Sequence, residues 1–335
     1  MASAAKALQK LSEKIDAPIV MTTNARGIVP PSHPLGVSLS PSMPETRKLA
    51  ALADVILAIG TEFGPTDYDF NEDGGFLTGY LIRVDIDPAQ IRRGPAANLA
   101  VVANALETTS ALSNLVETQC SKSGNLRAAK ARSGTQQLPN IMHAQLHILD
   151  TIRTCFPDAI IVGDQTQLVY AGNTAFSANT PSSYFNSATG FGTLGYGLPA
   201  AIGASLAAPE RPVVALIGDG GFQFSIAELT SATESGTPII VILHNNNGYG
   251  EIKSYMEGRN ISPIGVDILT PDFKAIAIAC GWDVEEAPTL KNLSRLLTQV
   301  IKAKTPQLII IEDNLITDFE DLNLPELPPE NRTLT

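Results

Sequence analysis

The chain has 335 residues, 44% of them hydrophobic and 17% charged, with a formal net charge of −11. That is enough polypeptide for two domains with separate cores, and an acidic balance without a sizeable Lys/Arg cluster excludes a nucleic-acid surface. Cys120, Cys155 and Cys280 are odd in number, widely spaced and never in a CxxC pair, which excludes a disulfide framework or structural zinc site and points to a reducing compartment.

No run approaches the ~18 apolar residues of a membrane span. The opening MASAAKALQKLSEKIDAPIV reads as an amphipathic helix leading into a strand, not as a signal peptide. A cytoplasmic protein without membrane contact is expected. Apolar, β-rich runs follow at Pro18–Met21, Val55–Ile59, Tyr80–Ile86 and Leu99–Ala103, with helical patterns such as Thr46–Ala53 and Leu106–Val116 between or after them. This alternation predicts parallel strands with crossover helices. From Thr118 to Gln137 the pattern lapses and Leu138-Pro139 follows, so a first domain is expected over 1–120 and a linker over 121–140.

A second alternating block fills 141–320. It reads as a helix over Met142–Cys155, a strand at Ala159–Val162, a small-residue helix after Pro199 and a strand at Pro212–Ile217. A helix near Ile226–Ser235, a strand at Pro238–Leu243, a helix near Phe273–Ala279 and a last strand at Gln307–Ile311 complete it. The tail, 321–335, is rich in Pro and Glu and is expected to be loose. There is no short-period repeat. The expected class is α/β, two tandem doubly wound domains with mainly parallel sheets.

The run Pro212–Ile217 is continuously apolar, as in a strand buried on both faces, and ends at Gly218-Asp219-Gly220. Ser225-Ile226-Ala227-Glu228 fits a capping box, predicting a helix start there. Gly236 stops that helix, and the next strand ends at His244-Asn245-Asn246. A right-handed crossover sets both strands parallel and near one another, so Asp219 and Asn246 emerge together at the carboxyl edge, where open α/β sheets bind ligands. One carboxylate, one amide oxygen and bare glycine backbone suit Mg²⁺ holding a phosphate: the loop NNNGYG can turn a carbonyl inward, and the amides of Gly220 and Gly221 can approach phosphate oxygens. The alternative is a tight turn and an Asx-rich loop with no ligand.

With these residues the sequence resembles the thiamine diphosphate-dependent enzymes of the acetolactate synthase and 2-oxo acid decarboxylase type. Their diphosphate signature, GDG, about two dozen residues, then NN, stands here as Gly218-Asp219-Gly220 and Asn245-Asn246. The resemblance implies that Asp219, the Asn246 side chain and the Gly248 carbonyl ligate Mg²⁺. TGFGTLGYGLPAAIGASLA, residues 189–207, is similar to the family's pyrimidine-holding loop and helix. It implies that the Gly192 carbonyl accepts from the 4′-amino group and that Leu194 wedges between the two rings. Gln165-Thr166-Gln167 matches a further diphosphate contact, and IGTEFG (59–64) and VDIDP (84–88) resemble the Rossmann-like middle domain. The second domain is then the thiamine diphosphate-binding fold, and the resemblance covers nearly the whole chain. Gly190 to Gly195 also fits the dinucleotide pattern GxGxxG, but no acidic strand end follows about 20 residues later, so a nicotinamide reading is rejected.

Full-length members of the family carry an N-terminal pyrimidine-binding domain, whose glutamate protonates the cofactor's N1′. No residue here is assigned to that glutamate. The resemblance therefore implies half a site, and three explanations stay open: a split enzyme with the pyrimidine domain on a separate chain, a truncated copy, or a non-catalytic cofactor-binding or regulatory module. A complete site would act on a small 2-oxo acid as a decarboxylase or synthase, and the family implies a homo-oligomer. The loop GTEFGPTDYDF is acidic where the family's FAD binders carry arginine, which argues against FAD. TDYD is similar to the branch acting on amino-acid-derived oxo acids, such as a guanidino-oxopentanoate decarboxylase.

Other residues carry less. His143 and His147 are four apart but lack the glutamate of HExxH, so a plain helix face is expected. His244 faces substrate or packs at a strand end. Tyr249, Glu251 and Ile252 follow the metal loop, where the family lines its substrate pocket. Trp282 is expected in the core.

Overall fold

The protein's structure, a computed structural model, describes residues 2–68, 77–119, 123–313 and 316. Its contacts divide the chain into two units. Unit 1 takes the chain up to Leu138 together with Asn173–Ser182; unit 2 takes Pro139–Gly172 and the chain from Ser183. Cys120, the end of the TDYD loop (Asp69) and the tail from 321 lie outside the described residues.

Unit 1 runs α1 (Ala5–Ile15), β1 (Ile19–Val20), β2 (Gly36–Val37), α2 (Pro44–Ala51), β3 (Val55–Ile59), β4 (Tyr80–Asp85), α3 (Pro88–Ile91), β5 (Leu99–Val102), α4 (Ala105–Leu115) and α5 (Ser123–Arg132). All its strand pairings are parallel, in two sheets, β1-β2 and β3-β4-β5. Side-chain caps fix two helix starts: Asn104 accepts from Leu106 N at 2.8 Å and Asp87 from Ala89 N at 2.8 Å. The expected linker is corrected here. Residues 123–132 form a helix that buries Gly124, Ala128 and Ala131 and packs against α2 and β2. Its buried face uses only small residues, so it shows no apolar period.

Buried Arg26 holds unit 1 together from inside. Its guanidinium donates to the carbonyls of Ser38, Phe176 (2.6 Å) and Asn173 (2.8 Å). These bonds tie residues 173–182 to unit 1 although the two stretches of unit 2 flank them in sequence.

Unit 2 runs α6 (Asn140–Cys155), β6 (Ile160–Gly163), α7 (Gln167–Ala175), β7 (Tyr184–Asn186), α8 (Gly197–Ala207), β8 (Val213–Gly218), α9 (Asp219–Ser225), α10 (Glu228–Ser235), β9 (Ile240–Asn245), α11 (Gly250–Gly258), α12 (Phe273–Ala279), β10 (Asp283–Glu286), α13 (Leu290–Val300) and β11 (Gln307–Glu312). Six parallel strands stand in the order β10-β11-β9-β8-β6-β7. The chain winds outward from β6 to β7, then returns to β8 on the other side of β6. The switch point therefore lies between β6 and β8, where this architecture opens a crevice at the carboxyl ends.

β8 and β9 bury every residue but their last, as their unbroken apolar runs require. Trp282 lies in the same core and donates from Nε1 to the Leu229 carbonyl at 2.9 Å. Among the described residues no helix is long and apolar enough to cross a membrane.

One local expectation fails. Ser225 does not cap a helix; it is the last residue of α9, buried, with its hydroxyl unbonded. The expected helix is α10, which begins at Glu228 behind Ala227, and a separate helix, α9, precedes it from Asp219 with extended Gly218 as N-cap. A carboxylate in the first turn is favoured by the helix dipole, and burial of Phe222 against Phe273, ring centroids 5.4 Å apart, overrides the low helix propensity of two glycines.

Candidate active site

The register of β8 and β9 pairs Gly218 with His244. This ladder position brings the segment starting at Asp219 beside the one starting at Asn245. Asp219 is 1% exposed, and its Oδ2 accepts from the Gly248 amide at 2.8 Å. Burial pushes its carboxyl above the usual range, opposed by backbone donors at Gly220, Gly248 and Asn246 and by the nearby His244 ring.

The side-chain amide of Asn246 stands 3.1 Å from Asp219 Oδ1 and 2.8 Å from the Gly248 carbonyl oxygen. With its nitrogen toward them it donates to both. With its oxygen toward them, three oxygens converge. Adjacent ligands of an Mg²⁺ octahedron, each ~2.1 Å from the ion, lie ~3.0 Å apart, so these separations suit either a bridging amide or a cation of that size. No group of three or more His, Cys, Asp or Glu among the described residues could hold a metal. A cation here would rest on one carboxylate with amide and carbonyl oxygens.

The loop beyond is shaped by close approaches. Asn247 sits in the left-handed region, φ 59°. The Gly248 position has no room for a side chain, because a Cβ would meet the Val266 carbonyl oxygen at 2.5 Å. The Tyr249 amide donates to that carbonyl at 2.8 Å, and its ring lies against Gly220.

On the other side of the switch point, β6 runs on into Asp164-Gln165-Thr166. The Thr166 side chain faces Gly218, and Gln165 Nε2 lies near Gly192. Gln165 donates to Ser187 Oγ at 2.8 Å and accepts from the Tyr170 hydroxyl at 2.6 Å. Burial, then the charges of Glu251 and Asp164, pushes the Tyr170 hydroxyl up to about 12. The loop 190–196 carries Gly192 at φ 67° and Gly195 at φ 81°. It turns the half-buried Leu194 toward Gly221, within ordinary contact of where a Cβ there would stand.

One residue of this crevice was not foreseen. Asp164 is fully buried. Its Oδ2 accepts from Gly197 N at 2.7 Å and its Oδ1 from Gln165 N at 2.8 Å, and burial raises its carboxyl against these bonds and those from Gly195 and Tyr196. The available signal was an acidic residue directly after the buried run IIVG, the same placement that marked Asp219.

The residues named from sequence thus gather in one place: Gln165, Thr166, Gly192, Leu194, Gly218, Asp219, Gly220, Gly221, Asn246, Gly248 and Tyr249 lie at the carboxyl ends of β6, β8 and β9 or on the loops that touch them. Others do not join them. His244 is buried at its strand end with Nε2 3.3 Å from Asp313 Oδ1, and Ile252 is 51% exposed on a helix, α11, that buries nothing.

The family model for the thiamine pyrophosphate enzyme central domain matches residues 1–112, and that for the C-terminal TPP binding domain matches 164–311. The chain is 39% identical over 299 residues to a probable 2-ketoarginine decarboxylase, AruI, of Pseudomonas aeruginosa, covering 88% of this chain and 53% of that protein. It is 28% identical over 334 residues to the large subunit of acetolactate synthase isozyme 1 of Escherichia coli, 96% of this chain and 58% of the relative. A solved thiamine diphosphate-dependent 4-hydroxybenzoylformate decarboxylase of Rhodococcus jostii superposes with a TM-score of 0.73 at 27% identity, over 93% of this chain and 59% of its own. The chain thus spans somewhat over half the length of the relatives it matches.

Proposed function

The chain belongs to the thiamine pyrophosphate enzymes, with the central and C-terminal domains of that family, and from this premise we propose that it is the cofactor-anchoring part of a 2-oxo acid decarboxylase that uses thiamine diphosphate and Mg²⁺. The convergence of Asp219 Oδ1, the Asn246 amide and the Gly248 carbonyl carries the reading: these oxygens would hold Mg²⁺, with the diphosphate as a further ligand. The amides of Gly220 and Gly221, in the first turn of α9, would meet phosphate oxygens. Gln165 and Thr166 close the site from β6. The Gly192 carbonyl and the Leu194 side chain would position the pyrimidine, Leu194 by keeping the two rings apart.

When bound, thiamine diphosphate supplies the electron sink that lets a 2-oxo acid lose carbon dioxide. The chain's own residues orient it, exclude water and neutralise its charge. No acid or base for the proton steps is assigned among them; the reading places that group on a pyrimidine-binding domain. A guanidino-type oxo acid is the favoured substrate. The 39% identity to the 2-ketoarginine relative supports it, as does the acidic Glu251, two residues past Tyr249 and close enough to act on Tyr170.

Calorimetry tests the anchor. Thiamine diphosphate binds this chain when Mg²⁺ is present and not in excess EDTA, and Asp219→Ala removes the metal dependence. Binding that ignores both Mg²⁺ and the substitution would overturn the ligand set. Carbon dioxide release from a 2-oxo acid by this chain alone would refute the placement of the missing acid–base group.

A further inference from the structure

Asp164 follows the last residue of β6 and is 0% exposed. A carboxylate without accessible surface meets neither substrate nor bulk water, so what it can do for the site is hold other groups in place. Its partners are backbone amides. Oδ1 accepts from Gln165 N at 2.8 Å and Oδ2 from Gly197 N at 2.7 Å, and the amides of Gly195 and Tyr196 bond to the same carboxylate. Four donors on one side chain need an acceptor with two oxygens and about four lone-pair sites, which an ionised carboxylate provides.

These donors come from two parts of the site. Gln165 lies on the turn that leads from β6 into α7, next to Thr166, whose side chain faces Gly218. Gly195, Tyr196 and Gly197 close the loop 190–196 and open α8. That loop turns at two left-handed glycines, Gly192 at φ 67° and Gly195 at φ 81°, a conformation with a high cost in backbone entropy. At its start the Gly192 amide donates to the Ser187 carbonyl at 2.9 Å. At its end the hold is Asp164.

A third element meets the same carboxylate. A Cβ at Gly221 would stand 2.8 Å from Asp164 Oδ1 and 3.5 Å from Leu194 Cδ2. A side chain there would have to displace the carboxylate, so the first turn of α9 comes as close to Asp164 as glycine permits. The carboxylate therefore stands where the end of β6, the first turn of α9 and the end of the 190–196 loop meet.

We propose that Asp164 is a positioning residue: it sets the separation between the diphosphate side of the site, at Gln165, Gly220 and Gly221, and the pyrimidine side, at Gly192 and Leu194, a role that rests on the thiamine diphosphate reading above. A cofactor that reaches both sides gains from their being held at the right spacing, because the second contact is then made within one molecule. A misplacement of about 1 Å forfeits much of that gain. A ligand that reaches one side only is indifferent to the spacing. General damage to the fold weakens every ligand; loss of spacing weakens the one that spans.

Calorimetry on the full chain with Mg²⁺ compares thiamine diphosphate, which spans both sides, with inorganic pyrophosphate, which meets one. In Asp164→Ala the affinity for thiamine diphosphate falls roughly tenfold and that for pyrophosphate less than about threefold. A fall of the same size for both ligands, or for neither, overturns the positioning role and leaves the cofactor reading in place. Absence of thiamine diphosphate binding in the parent chain overturns that reading, and the positioning role with it. If the alanine chain has lost the parent's near-ultraviolet circular dichroism, Gly197→Ala takes its place. The new Cβ, 3.1 Å from the Asp164 Cβ, pushes the loop end away from the carboxylate and keeps every hydrogen-bonding group. The same selective loss, about threefold, is expected there, and equal losses for the two ligands again overturn the proposal.

Discussion

Asp164 Oδ2 accepts a 2.7 Å hydrogen bond from the amide of Gly197, so the carboxylate that ends one central strand also anchors the first residue of α8. Gly197 eases this approach: a Cβ would stand 3.1 Å from both the Asp164 Cβ and Ile217 Cγ1, so these neighbours would have to yield slightly. Since Oδ1 takes the Gln165 amide, both oxygens are committed to donors. Asp164→Asn turns an NH₂ group toward one of those amides. A loss of about 1–3 kcal/mol is expected from the buried donor left unpaired, read as a lower urea midpoint for unit 2. An unchanged midpoint would show that the bond contributes nothing net.

Tyr249 and Gly220 are matched in shape. A methyl group at Gly220 would lie 2.6 Å from Cε1 of the Tyr249 ring. Gly220→Ala is expected to cost about 1–3 kcal/mol through this overlap. Tyr249→Ala in the same chain should recover most of it. If the two costs simply add, the ring is not the cause.

Arg26 donates to three backbone carbonyls, those of Ser38, Asn173 and Phe176. Replacing it with methionine keeps the length and removes every donor. Hydrogen bonds to charged groups contribute ~1.5–3 kcal/mol each, and water can reach part of what is exposed. A loss of about 3 kcal/mol from unit 1 is expected for Arg26→Met, with residues 173–182 exchanging amide hydrogens faster. Exchange there at the parent rate would contradict the tethering role.

The bond from His244 holds the Asp313 carboxyl below its ordinary range. A carboxyl lowered by folding stabilises the protein fully above the unfolded value, ~4, and ceases to do so as the pH falls through its folded value. Asp313 is about half exposed, so solvent screening limits the contribution to roughly 0.5 kcal/mol. Asp313→Asn should therefore lower stability at pH 7, and the gap to the parent should close in strong acid. A gap that widens on acidification would reverse the assigned sign.

Much of this architecture could be read before any coordinates. The span expected for β3 and that for α12 coincide with the observed ones, and β8 and β9 were legible because buried parallel strands need unbroken apolar runs. Asp219 and Asn246 followed from strand direction, since parallel strands joined by one crossover must end at the same rim, whereas Gln165, Thr166, Gly192, Leu194 and the Gly248 carbonyl were named through the family resemblance. What escaped notice had physical reasons. β10, Asp-Val-Glu-Glu, is an edge strand whose charges face water, and its place is fixed by β11 rather than by its own composition. α9 begins at Asp219 because tertiary burial outweighs a glycine-rich composition that reads as a turn. α13 did leave a trace: a Thr289 cap and buried Leu293, Leu296, Leu297 and Val300 at helical spacing, a period that a shorter window passes over.

The pairing of Gly218 with His244 fixes the two rims of the crevice through the ladder itself, independently of what lies between. The part of the crossover from Ile226 to Thr237, beyond the site residues Asp219 to Gly221, can lengthen or shorten without moving either rim, whereas a one-residue slip of β9 would exchange its inward and outward faces. Relatives with indels in that stretch should therefore keep the same chemistry, and aligning them by strand ends will be more faithful than aligning them by the count of residues between.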